Sequence, residues 1–184
     1  ILEGYKVADK LKNHGSNAST FSDWWAYKFE VNDAIPYNAS ILTKIGVNTS
    51  INSDDGEMGR RLNQEAAKSV MYGGLTEVQA LKLVTINPAK MLKIDAFTGS
   101  LKVGKDADLV IWSDNPLSIK AIVETTIIDG VKYYDVEEHA RKLEFIEKER
   151  ARLIEKLLAE PSAKSTGKKP PIKKRHEYHC DDLY

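Results

Sequence analysis

Apolar side chains recur at helical spacing through the first part of the chain. Tyr5, Val7, Ala8 and Leu11 predict a helix over residues 3–13, ended by His14-Gly15 with a left-handed exit at Gly15. Residues 17–21 read as a short strand. A second helix is expected over 36–45, started by Pro36 and ended near Gly46. Val47 to Ile51 alternates apolar and polar side chains, as a strand does. Leu62, Ala66, Ala67 and Val70 then mark a helix from about Met58 to Tyr72, stopped by Gly73-Gly74. Thr76 and Gln79 form a capping box that opens a helix ending near Val84. Asn87-Pro88 reads as an N-cap followed by Pro at the first helical position, giving a short helix through Leu92.

The period then changes. Ser100 to Val103 and Leu109 to Trp112 are expected as short strands. Val123 to Ile128 and Val131 to Tyr134 flank Asp129-Gly130, a strong two-residue hairpin signal. A long amphipathic helix over 136–160 follows, with Val136, Ala140, Leu143, Ile146, Leu153 and Leu157 on one stripe interrupted by Arg150. Packing of that stripe on the same chain is the expectation, with a short coiled coil as the alternative. Residues 161–184 hold six Lys or Arg and three acids among Pro161, Gly167, Pro170 and Pro171, and read as a basic, flexible tail.

Composition narrows the classes. The 184 residues are 42% hydrophobic and 29% charged, which suits a globular protein with one small core. No apolar run is long enough to span a bilayer, and no signal-like segment is present. Cytoplasmic placement is therefore the default, with an upstream signal peptide left open. Lys plus Arg and Asp plus Glu are each 27, so no net field argues for a nucleic-acid or membrane partner. Cys180 alone gives no intrachain disulfide framework. The first residue is Ile1, which is consistent with a piece of something longer. A complete (β/α)8 barrel takes about 250 residues and does not fit this length.

The densest polar cluster is Asn52-Ser53-Asp54-Asp55-Gly56-Glu57, directly after a candidate strand. Carboxylates at the C-terminal end of a strand occupy the place where α/β folds hold their sites. On residue type alone Asp54 stays open between metal ligand, general base and helix cap. In Phe21 to Lys28, Trp24 and Trp25 are adjacent, so one faces a core and the other a pocket, a lid or solvent. Asp23, Lys28 and Glu30 suggest local ion pairs. His176, His179, Cys180 and Asp181 offer zinc-compatible donors, but their spacing matches no standard finger. There is no Walker sequence, dinucleotide fingerprint or G-x-S-x-G elbow.

Three segments carry a family resemblance. Leu75-Thr76-Glu77 through Asn87-Pro88-Ala89-Lys90-Met91-Leu92 resembles the end of a metal-dependent amidohydrolase barrel. Thr98-Gly99-Ser100-Leu101 through Asp106-Ala107-Asp108-Leu109-Val110 resembles the return to that superfamily's small β domain, and Ile127-Ile128-Asp129-Gly130-Val131 its closing hairpin. Imidazolonepropionase-like and prolidase-like members are the nearer likeness. The resemblance implies an α/β fold: residues 1–94 as the C-terminal part of a TIM-barrel metallohydrolase, 95–135 as part of its small β-sandwich domain, then the helix and tail.

It also implies roles. Ser53-Asp54 is similar to the motif closing the last barrel strand, which makes Asp54 a metal ligand and the catalytic proton acceptor, with Asp55 left to cap the next helix. Trp24, Trp25 and Lys28 would lie on the substrate-binding rim. The remaining metal ligands lie outside this chain: the paired histidines of the first strand, the bridging lysine or glutamate, and the histidines of strands five and six are absent. His14 does not replace them. A divalent metal, zinc by expectation, belongs to the full-length parent and is not held tightly by this chain alone. The parent would hydrolyse a C–N bond in a cyclic amide or peptide-like amide, with this chain inactive by itself. The expected partners are that substrate and a missing N-terminal barrel segment or chain, with homo-oligomerisation also open. A half-barrel is expected to expose strand edges. The alternative is a non-catalytic structural or interaction subunit that completes a barrel with another chain.

Overall fold

A computed structural model describes residues 1–159. The chain divides into two compact units, Ile1–His139 and a second beginning at Ala140. The first unit begins with a 3-10 turn, Gly4–Val7, that runs into α1, Ala8–His14. The strand β1, Ala18–Thr20, leads through an irregular segment to α2, Asn38–Ile45, and then to β2, Thr49–Ile51. Short helices follow: α3 (Gly56–Gly59), α4 (Leu62–Met71), α5 (Glu77–Lys82) and α6 (Ile86–Met91). The strands β3 (Leu109–Trp112), β4 (Val123–Ile128) and β5 (Val131–Asp135) complete it.

β1 and β2 pair in parallel, with Ala18 opposite Thr49 and Thr20 opposite Ile51. The connection through α2 is the crossover that parallel strands require. The end of α2 is local chemistry: Gly46 turns left-handed at φ 99°, and its N–H returns to the carbonyls of Leu42 and Thr43. One cluster, Ala8, Ala18, Leu42 and Val47, lies between α1, α2 and β1. A second, Ala39, Ile51, Leu75 and Leu83, joins α2 and β2 to residues flanking α5. Every residue of β2 is buried, so the alternation expected of a half-buried strand is not what its environment imposes. Parallel strands covered on both faces behave in this way.

The edges of this pair are not open. Ala18 N–H donates to Asn48 O and Asn52 N–H to Thr20 O, so Asn48 and Asn52 face β1 and Thr49 and Ile51 face away. On that outer side Ile51 N–H donates to Leu83 O at 3.1 Å, and Asn87 Nδ2 donates to Thr49 O at 2.8 Å. The chain caps its own strand edge, where the sequence suggested an exposed one. On the far side of β1, the Ile1 nitrogen donates to Ser19 O at 2.6 Å.

The three C-terminal strands form an antiparallel sheet in the order β3-β4-β5. Asp129 (φ 51°) and Gly130 (φ 75°) both take left-handed backbone, the geometry of the expected two-residue turn. Other expectations are corrected. The 58–72 helix is two helices, broken at Arg60-Arg61. Asn87 is not a cap: α6 begins at Ile86 without side-chain capping, because the Asn87 amide is engaged with β2. Ser100 to Val103 forms no strand. Val7 is exposed. Among the described residues there is neither a closed barrel nor a sandwich, but a mixed α/β arrangement with one parallel pair and one small antiparallel sheet.

The helix α7 spans Val136–Ala159 as expected, but none of its residues is buried. The tail, with His176, His179, Cys180 and Asp181, lies outside the described residues. No helix among the described residues is long and apolar enough to cross a membrane.

Candidate active site at the ends of the parallel strands

The register of β1 and β2 sets their C-terminal ends side by side, and both strands continue into polar segments. Three contacts tie those segments together. Asn52 N–H donates to Thr20 O at 3.0 Å, and Asn52 Nδ2 to Ser19 Oγ at 2.6 Å. Trp24 Nε1–H points at Met58 Sδ, 3.2 Å away in α3. The loop bearing Trp24 and the loop bearing Asp54 therefore share one rim.

The two aspartates separate by role. Asp55 is the N-cap of α3: its Oδ1 accepts from Glu57 N–H at 2.8 Å and Met58 N–H at 2.9 Å. Ser53 Oγ accepts from Asp55 N–H and donates to Asp55 O, closing the turn. Asp54 is held on this turn, exposed, with no hydrogen bond or ion pair among the described residues. Its carboxylate is not used by the fold. Two residues earlier, Asn52 Oδ1 is buried and has no hydrogen-bond partner among the described residues. An unpaired buried acceptor costs roughly 1–3 kcal/mol, so such a group calls for a reason beyond packing.

The aromatic residues divide similarly. Trp24 stacks on Phe21 at 4.3 Å and meets the Tyr27 ring edge-on at 5.6 Å, a half-buried anchor. Trp25 is 54% exposed, steadied by Nε1–H donating to Asn32 O at 3.0 Å. Lys28 is exposed, with its ammonium 5.5 Å from the centre of the Tyr27 ring. Between Trp25 and Tyr27, Ala26 takes φ 55°, a left-handed conformation that costs a non-glycine residue about 1 kcal/mol.

Beneath this rim lies a charge cluster that sequence reasoning missed. The Asp23 carboxylate reaches α4 rather than Lys28, accepting from Lys68 Nζ at 2.8 Å. Lys68 also donates to Glu65 at 3.0 Å, and Ser22 Oγ donates to Glu65 Oε2. Glu65 and Ser22 are buried. Burial pushes the Lys68 ammonium down, but the hydrogen bonds and charges of Asp23 and Glu65 outweigh that and hold it above its usual value. No local pattern announces this cluster, because Ser22 and Glu65 are 43 residues apart.

The described residues contain no group of three or more His, Cys, Asp or Glu side chains placed to hold a metal ion. A catalytic zinc takes about three protein ligands. This chain's described residues thus do not by themselves fit a metal centre; Asp54 offers one carboxylate.

Comparison with known proteins places this arrangement. The amidohydrolase family model matches residues 36–137. Over 116 residues the chain is 34% identical to amidohydrolase tasK of Hapsidospora irregularis, covering 62% of this chain and 12% of that protein. It is 36% identical over 73 residues to an imidazolonepropionase of Picrophilus torridus, covering 36% of this chain and 18% of that protein. The crystal structure of an amidohydrolase from Thermotoga maritima MSB8 superposes with a TM-score of 0.65 at 33% identity, covering 73% of this chain and 35% of that one. The chain belongs to the amidohydrolase family. It spans less than a fifth of the length of these two curated relatives.

Proposed function

We propose that this chain is the C-terminal part of a metal-dependent amidohydrolase that cleaves a C–N bond in a cyclic amide or peptide-like amide. The observation that carries the reading is Asp54: an exposed carboxylate, unused by the fold, on a capped turn at the end of a parallel strand. Family membership and the 33% identity to the Thermotoga amidohydrolase support it. In this reading residues 1–94 belong to a TIM barrel, 95–135 to a small β domain, 136–160 to an appended helix and 161–184 to a tail. The parent's divalent metal, zinc as the family resemblance implies, would supply Lewis acidity when bound; its other ligands would come from outside this chain. Asp54 accepts the proton of the attacking water and returns it to the departing nitrogen. Trp24 and Trp25 wall the substrate side of the rim, and Lys28 offers it a cation. The 184-residue chain alone is inactive.

The test is made on the parent polypeptide, purified with its metal and assayed on cyclic amides and on dipeptides. Asp54→Asn should lower kcat at least about a hundredfold with folding unchanged. Trp25→Ala should act chiefly on KM. An Asp54→Asn enzyme with full activity would overturn the reading. A second reading, a non-catalytic interaction subunit, draws support from the self-capped outer edge of β2, which leaves no free strand edge there. It predicts a native polypeptide beginning near Ile1, with no amide-hydrolysing partner chain.

A further inference from the structure

Between Leu143 and Leu157 α7 presents an apolar stripe that is exposed among the described residues. Leu143 is 47%, Ile146 56%, Leu153 49% and Leu157 72% exposed. These residues repeat at intervals of three and four, the a and d positions of a heptad, with Arg150 in the central a position. His139, the preceding d residue, leans on the Tyr134 ring at 5.5 Å and stands apart from this seam. Most of the stability of a helix in a protein comes from packing of its amphipathic face. Its surface charges already form i to i+3 and i to i+4 pairs, Glu144 with Lys148 and Glu149 with Arg152. Arg150 within the seam and Glu147 beside it have no partner among the described residues.

We propose that α7 is a dimerisation helix whose occupant is a second copy of this chain, in a parallel, in-register two-stranded coil. Charge and layer matching select this occupant and direction. In the parallel pair each apolar residue meets its own copy, giving four apolar layers and one polar layer. Arg150 comes beside Glu149 of the partner subunit, which relieves the meeting of the two arginines. In an antiparallel pair a residues meet d residues. That sets Arg150 against Ile146, Leu153 or His139, and the most overlapped alignment with Ile146 opposite Arg150 also brings Glu147 towards its own copy. A single polar a residue fixes register at a cost in stability, so the dimer is weak and concentration-dependent.

The experiment is sedimentation velocity on the full 184-residue chain over a range of concentrations. The expected result is a reversible monomer–dimer equilibrium. Ile146→Glu with Leu153→Glu should abolish the dimer while the near-ultraviolet spectrum of Trp24, Trp25 and Trp112 is unchanged. Arg150→Leu should tighten it about tenfold, since it converts the polar layer to an apolar one. For direction, Leu143→Cys in a Cys180→Ser background should form an intermolecular disulfide on mild oxidation. A chain monomeric at every concentration, or a dimer indifferent to the double substitution, overturns the proposal. A dimer that persists without cross-linking at Leu143→Cys overturns its parallel direction.

Discussion

Asn38 is 1% exposed and holds three separate parts of the first unit with one amide. Its Oδ1 accepts from Tyr5 N–H at 2.8 Å, and its Nδ2 donates to Ile1 O and to Thr20 Oγ1, both at 2.9 Å. Asn38→Ala would remove the partner of the part-buried Tyr5 N–H and Ile1 O and of the buried Thr20 hydroxyl, and should lower stability by about 1–3 kcal/mol in urea unfolding followed by tryptophan fluorescence. Lys68 holds the loop after β1 against α4 in a comparable way. Lys68→Met should cost about 2 kcal/mol, since it strands Glu65 in the interior while Asp23 keeps partial access to water. The sign of its pH dependence follows from the raised ammonium value. The stabilisation is fully present below the ordinary 10.5 and is lost as pH rises through the raised value. Alkaline unfolding of the native chain should therefore show a transition above that point which Lys68→Met lacks.

Elements meet most closely where Gly73, after α4, passes α2. A Cβ built on Gly73 would lie 1.6 Å from Ser40 Oγ and 2.1 Å from Ser40 Cβ. Gly73→Ala should cost about 3 kcal/mol, and adding Ser40→Gly should recover much of it in the same unfolding assay. At the start of α7, Asp135 Oδ1 accepts from Glu137 and Glu138 N–H at 3.1 Å, and Lys132 donates to its other oxygen at 2.8 Å. The Lys132 hydrogen bond, with those backbone donors, holds the Asp135 carboxyl below its ordinary 3.8. The contribution of this cap is present above 3.8 and is lost as pH falls through the lowered value. Amide exchange at residues 137–140 should accelerate in that acid window, and Asp135→Asn should remove the dependence. Elements decided by adjacent residues were legible in the sequence. Thr76 and Gln79 form the expected capping box at 2.9 and 3.2 Å, and Asp129-Gly130 makes the expected turn. Elements decided at a distance were not. Asn87 has the look of a cap, yet its partner is Thr49 O, 38 residues away. Ser100 to Val103 has strand composition, and no strand pairs with it. At the candidate site, the position of Asp54 after a strand could be read from order alone, whereas order left the helix cap open between Asp54 and Asp55, and the cap is Asp55. The link from Trp24 to Met58 and the cluster around Glu65 could not be read from order, because folding makes those neighbours.

As a whole, the described chain brings one carboxylate to a place where a metal centre needs about three ligands. Metal analysis of the dialysed 184-residue chain should find well below one equivalent of zinc, whereas a full equivalent would require donors other than Asp54. The order β3-β4-β5 has a separate consequence. β3 is an end strand, and its sequence Leu109-Val110-Ile111-Trp112 carries no charge, with Val110 and Ile111 exposed. β5 ends the other side with Lys132 inside it, a charge that discourages a further strand from adding. On β3 the safeguard is the register irregularity between Ile111 and Trp112, which bends the ladder away from a straight template. Straightening or unmasking that short stretch would seed ordered self-association of chains into fibrils, so concentrated or partly denatured samples should bind amyloid dyes, and Ile111→Lys should keep them clear.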